Sequence, residues 1–157
     1  NIVKPIKQRE KVFISYCWTP KENKDKVIKL AERLENDGVN VLYDKKSLKP
    51  GQDMVAFMEA LSTDETIKKV LVICNADYAK KADNREGGVG TESEIIIPLV
   101  YGHPMQNKII PLFFEKATDG SFYKPVYLRN RYGIDFTDDF ESGYKELLKD
   151  IKSTVVL

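Results

Sequence analysis

"KVFISYCWTPKENKDKVIKLAERLENDGVNVLYD", residues 11–44, is where the fold is decided. "KVFISY" (Lys11–Tyr16) is a short, apolar, β-prone run. Thr19-Pro20-Lys21-Glu22 has the pattern of a capping box with proline at the first helical position. Val27, Leu30, Ala31 and Leu34 then recur at i, i+3, i+4 and i+7, which is one face of a helix. Gly38 supplies the stop for that helix, and "VNVLYD" (Val39–Asp44) is a second strand. Strand, helix and strand in so short a span predict a β–α–β unit.

The same alternation continues outward. "KKSLKPGQD" is turn-rich, and Met54, Phe57, Met58 and Leu61 repeat the helical stripe. "KVLVICN" (Lys69–Asn75) is a third strand, and "NREGGVGTESEIIIPLV" (Asn84–Val100) supplies the next helix. "KIIPLFFE" (Lys108–Glu115) is a fourth strand, residues 116–131 are loop-like, and "GIDF" (Gly133–Phe136) is a short fifth strand. Phe140, Tyr144, Leu147, Leu148 and Ile151 line a last helix. Strands alternating with helices predict a parallel sheet covered on both faces. Five such strands fit the flavodoxin-like, doubly wound α/β class with order 2-1-3-4-5. The expected organisation is one domain over residues 11–152, with 1–10 as an extension or linker and 153–157 as a tail.

In that class ligands bind beyond the carboxyl ends of the strands, at the switch between strands one and three. Ser15, Tyr16, Cys17 and Trp18 follow strand one, Asp44 follows strand two, and Cys74-Asn75 follow strand three. The glycine stretch, read as the loop leaving strand three, reaches the same edge.

Composition removes several function classes. A chain of 157 residues is enough for one domain with a real core and not comfortably for two. Its net charge of +1, from 25 basic and 24 acidic residues, gives no bulk field for nucleic acid or an anionic membrane. Two cysteines, Cys17 and Cys74, make no disulfide framework or zinc cluster. A single histidine, His103, argues against a histidine-based triad or metal centre. No apolar run approaches the roughly 20 residues that span a bilayer, and no signal-peptide pattern is present. The first residue is Asn1 rather than Met, so an excised domain is expected, with a cytoplasmic location.

Known occupants of the fold can be tested at these strand ends. A response-regulator receiver wants acidic residues after strand one and a phosphate-accepting aspartate after strand three, where this chain has Ser15-Tyr16 and Cys74-Asn75. A flavodoxin phosphate loop does not resemble "SYCWTPKE". The dinucleotide fingerprint GxGxxG belongs between the first strand and first helix, whereas "GGVGTES" follows the third strand and lacks its third glycine.

Taken together, "VFISYCW" (Val12–Trp18), "LYDKKSLKPGQD" (Leu42–Asp53), "VLVICNADYAKKADNREGGVGTESEII" (Val70–Ile96), "IIPLFFE" and "GIDF" resemble the Toll/interleukin-1 receptor (TIR) domain in its bacterial form. The resemblance covers residues 11–152, with the matches in the family's order. It implies cleavage of NAD+ to nicotinamide and ADP-ribose or a cyclised product, with NAD+ as substrate and no cofactor. It also implies a key glutamate on the helix after strand three, four positions beyond a Trp or, in bacterial forms, a Gly. That spacing leads from Gly88 to Glu92. Nicotinamide leaves as a neutral base, so no general acid is needed. One carboxylate holding the ribose and an oxocarbenium-like centre is enough.

Glu94 competes with Glu92. With Thr91 as N-cap, Glu94 occupies the third helical position and has a capping role of its own. Glu92, at the first position, gains only about 0.3–1 kcal/mol from the helix dipole, so the resemblance assigns catalysis to Glu92 and keeps Glu94 in reserve. Ser15, Tyr16, Trp18, Asp44 and Asn75 are candidate substrate contacts. Each also has a structural reading: a loop hydrogen bond for Ser15, packing for Tyr16, and a rim aromatic on the first helix for Trp18. Asp44 can orient its loop and Asn75 can shape a turn. Cys17 stands where some TIR enzymes carry a basic residue. The resemblance further implies association with other TIR domains through Lys45 to Asp53, under a fused or separate sensor module, in antiphage defence. Partnership with nucleic acid or a membrane is not expected. A non-catalytic TIR scaffold is the alternative.

Overall fold

A computed structural model describes residues 10–43, 67–84, 89 and 108–153. The first strand, β1 (Lys11–Ser15), leads into helix α1 (Lys21–Asn36) and strand β2 (Asn40–Leu42). Strand β3 (Ile67–Cys74) is followed at once by helix α2 (Ala76–Asn84), then by β4 (Ile109–Phe113). A 3-10 turn (Val126–Leu128), a short strand β5 (Ile134–Asp135) and helix α3 (Phe140–Lys152) complete the described chain. The five described strands pair in parallel in the order β2-β1-β3-β4-β5, the doubly wound arrangement that the alternation predicts.

Period two along the strands builds two separate cores. Val12, Ile14 and Tyr16 with Leu71, Ile73 and Leu112 face one side, where Val27, Leu30, Ala31 and Leu34 of α1 and Tyr144, Leu147 and Ile151 of α3 cover them. Phe13 and Cys17 with Val70, Val72, Cys74 and Phe113 face the other side, beneath Tyr78 and Ala82 of α2 and Tyr127 and Leu128 of the 3-10 turn. Val89 belongs to this second core.

The predicted end of α1 is present in full. Gly38 has φ +90°, its N–H donates to the Glu35 carbonyl at 3.1 Å, and the Val39 N–H donates to the Leu34 carbonyl at 3.0 Å. This is the Schellman arrangement, in which a left-handed residue lets orphaned carbonyls be satisfied.

Two expectations need correction. The capping box at Thr19 does not form: Pro20 is the N-cap, and no side chain bonds the helix start. The Pro20 carbonyl accepts from the Asn23 N–H at 2.9 Å, while the Thr19 hydroxyl donates to the Asp77 carboxylate at 2.8 Å. That bond to a charged acceptor is strong and orients the Thr19 side chain toward α2, so its oxygen accepts from no N–H of α1. The glycine stretch also does not leave strand three directly, because α2 intervenes. Asn75 caps α2 by accepting from the Tyr78 N–H at 2.9 Å, and Tyr78 and Ala82 form its buried i, i+4 face.

Candidate functional site

The carboxyl ends of β1 and β3 adjoin where the chain reverses its direction of winding, and the described candidates Ser15, Trp18 and Asn75 gather there. Ser15 is fully buried. Its hydroxyl lies 2.9 Å from the Tyr78 hydroxyl, which lies 2.9 Å from the Tyr127 hydroxyl. Three neutral hydroxyls therefore run from the end of β1 through α2 to the 3-10 turn. Neither tyrosine stands out in the sequence as a site residue. The helical spacing of Tyr78 behind the Asn75 cap could have revealed the first, while nothing local signals Tyr127.

Ser15 and Tyr16 do not form a pair, since adjacent residues of an extended chain face opposite sides. Tyr16 is buried in the other core, edge-on to Tyr43 with ring centroids 6.4 Å apart. Asn75 is only 2% exposed, and both ends of its amide serve the fold. Its oxygen caps α2, and its nitrogen donates to the Thr19 carbonyl at 3.2 Å. The N–H at one end and the carbonyl at the other fix which way the amide points.

Trp18 differs from all of these, with 52% of its surface exposed. The Lys24 ammonium, from the first turns of α1, sits 5.1 Å from the centre of its ring. That is a cation–π contact, and it makes Trp18 a rim aromatic packed on α1. The preceding Cys17 is buried, its thiol 3.3 Å from the Thr19 hydroxyl, and its carbonyl accepts from the Asn23 amide at 2.8 Å. Cys74, at the end of β3, is also buried, and loss of solvation pushes its thiol pKa up to about 12. A thiol that stays protonated at neutral pH is no nucleophile. Among the described residues no group of three or more acidic, cysteine or histidine side chains is arranged to hold a metal.

Asp44, Glu92 and Glu94 lie outside the described residues, as do the Thr91 cap, Gly87, Gly88, Gly90, His103, the segment 45–53 and the stripe from Met54 to Leu61. No helix among the described residues is long and apolar enough to cross a membrane.

Comparison with known proteins agrees with this architecture. The TIR domain family model matches residues 12–148. No curated protein matches the chain. A solved prokaryotic SEFIR domain is 37% identical with a TM-score of 0.75, over 94% of this chain and 96% of that one. The TIR domain of the Toll-related receptor TRR-2 from Hydra magnipapillata is 19% identical with a TM-score of 0.62, over 89% and 96% respectively. The TIR domains of the activated Roq1 resistosome, which directly recognizes the pathogen effector XopQ, are 17% identical with a TM-score of 0.62, over 90% and 99%. These last two share the fold. With the family model spanning nearly the whole chain and the strand order in agreement, the protein belongs to the TIR domain family.

Proposed function

We propose that the chain is an NAD+ glycohydrolase of the TIR type, with or without cyclase activity, that becomes active when a sensor module assembles it in bacterial antiphage defence. The observation that carries this reading is the half-exposed Trp18 at the switch point between β1 and β3. A flat aromatic surface at the edge where doubly wound sheets take their ligands suits a nicotinamide or adenine ring. Glu92 is the proposed catalytic carboxylate, contacting ribose hydroxyls while nicotinamide departs as a neutral base. Asp44 is the proposed ribose contact from the end of β2. Ser15, Tyr16 and Asn75 act beneath that surface rather than on the ligand, since all three are buried.

Nicotinamide release from NAD+ by concentrated or fused protein tests the reading. Glu92→Ala is expected to abolish release, and Glu94→Ala to retain it. If no assembled form of the wild type consumes NAD+, the enzymatic reading fails.

The second reading is a non-catalytic scaffold that works through TIR–TIR association by way of residues 45–53. It is favoured by one observation: Ser15, Cys17 and Asn75 all turn their polar atoms into the fold at the switch-point edge. Association without NAD+ consumption would select it.

A further inference from the structure

The loop between β1 and α1 is tied to both α1 and the start of α2 by side-chain hydrogen bonds. The Asn75 amide nitrogen donates to the Thr19 carbonyl at 3.2 Å, and the Thr19 hydroxyl donates to Asp77 at 2.8 Å. From the other side, Asn23 of α1 donates to the Cys17 carbonyl at 2.8 Å. These bonds flank Trp18 on both sides in sequence, and two of them come from the first turn of α2 and its cap. Yet Trp18 itself is turned outward, with Lys24 against its ring. A backbone so pinned, carrying a half-exposed aromatic, is pre-organised for a flat partner. A ligand stacking there has less loop freedom to remove, and affinity rises for that reason.

We infer that Thr19, Asn75 and Asp77 form a clamp from the start of α2 that fixes Trp18 as a rigid stacking surface for a heteroaromatic ring of the nucleotide. This rests on the NAD+ reading given above. It makes Asn75 and Thr19 positioning residues, acting through Trp18 without touching substrate. Asn75 does two jobs with one amide: its oxygen starts α2 and its nitrogen ties the loop to that start. The placement of the loop is therefore coupled to the placement of the helix that follows strand three.

Trp18 is the sole tryptophan, so its fluorescence reports on this loop directly. Two variants cut the clamp by different routes. Thr19→Val keeps the branched shape and removes the hydroxyl, and Asn75→Ser keeps a capping oxygen while removing the amide donor. Circular dichroism establishes that each is folded. Time-resolved anisotropy of Trp18 is expected to gain a nanosecond local-motion component in both variants. The dissociation constant for NAD+, read from Trp18 quenching, is expected to rise about fivefold, the size of one hydrogen bond, with the loss in KM rather than kcat. Unchanged anisotropy in both folded variants overturns the clamp and leaves the NAD+ reading standing. Trp18 emission in the concentrated wild type that ignores millimolar NAD+ overturns the ligand part of the inference, whatever the anisotropy shows.

Discussion

The two faces of the sheet are held together by different chemistry. On the face covered by α1 and α3 the interior is largely apolar, and its polar contacts join the covering helices to each other and to the buried Lys69 of β3. Arg33 of α1 makes a two-pronged contact with Glu141 of α3, at 2.8 and 3.0 Å. The Tyr144 hydroxyl bonds the Arg33 carbonyl and the Asp37 carboxylate, and Lys69 reaches Asp150 at 3.1 Å. On the face covered by α2, polar groups lie inside, as the Ser15–Tyr78–Tyr127 chain and the Asn75 amide. The first face is an apolar core whose Arg33–Glu141 pair remains where water shares its cost, and its buried charge, Lys69, is paired with Asp150. The second carries buried polar atoms that need partners at close quarters, and those partners lie beneath the switch-point edge. The chain of buried neutral hydroxyls is what distinguishes the second face from the first.

This contrast can be broken or sharpened by substitution. The largest expected effect is in the apolar face: Leu34→Ala, at a fully buried position of α1, should cost about 3 kcal/mol in urea unfolding. The same measurement on Tyr78→Phe, which removes both hydroxyl bonds at once, should give a loss of about 1–3 kcal/mol. Tyr127→Phe removes only the outer bond and should cost less. Equal losses from Tyr78→Phe and Tyr127→Phe would mean that the three hydroxyls do not act as a chain.

Cys74 offers a pH test of the same face. Its thiol is raised by burial from 9.0 to about 12, so the native state holds a proton that the unfolded chain releases first. Its contribution is full below pH 9 and falls as pH rises toward 12, by at most about 1.4 kcal/mol per pH unit. Cys74→Ala should flatten the alkaline decline of the urea midpoint relative to wild type, and parallel declines would show that the thiol is not the titrating group. The smallest effect is expected at the rim. Arg33→Ala should lower the melting temperature slightly at low salt and less at high salt, because both partners are exposed and screened. A large, salt-insensitive loss there would remove the distinction between the two faces.

Much of this fold was legible along the chain. Apolar residues at helical spacing gave α1 and α3, alternation of strand and helix gave the sheet order, and Gly38 gave the end of α1. These signals are local, carried by periodicity and backbone preference, and a sequence displays them directly. The β1–α1 junction departs from the local pattern because the Thr19 side chain, which a capping box would use to accept from an N–H of α1, is instead held by Asp77 of α2, to which its hydroxyl donates. The helix α2 is masked in the sequence by the more conspicuous glycines, although Asn75 as cap and the Tyr78–Ala82 spacing announce it.

What the sequence alone determined is the class of fold and, among the described residues, that Ser15, Trp18 and Asn75 follow the strands whose ends meet at the switch point. It also gave the resemblance that makes Glu92 a specific, testable catalytic proposal. Only the tertiary structure separated the residues that follow those strands. Ser15 and Tyr16, neighbours in the chain, are sent to opposite cores by the pleat of β1, Asn75 is spent on holding α2 to the loop, and Trp18 is left facing outward. The physical reason is that burial and hydrogen-bond partnership are set by what other segments bring to a position. For Ser15 and Asn75 those partners lie on other elements of the fold, where no local pattern records them.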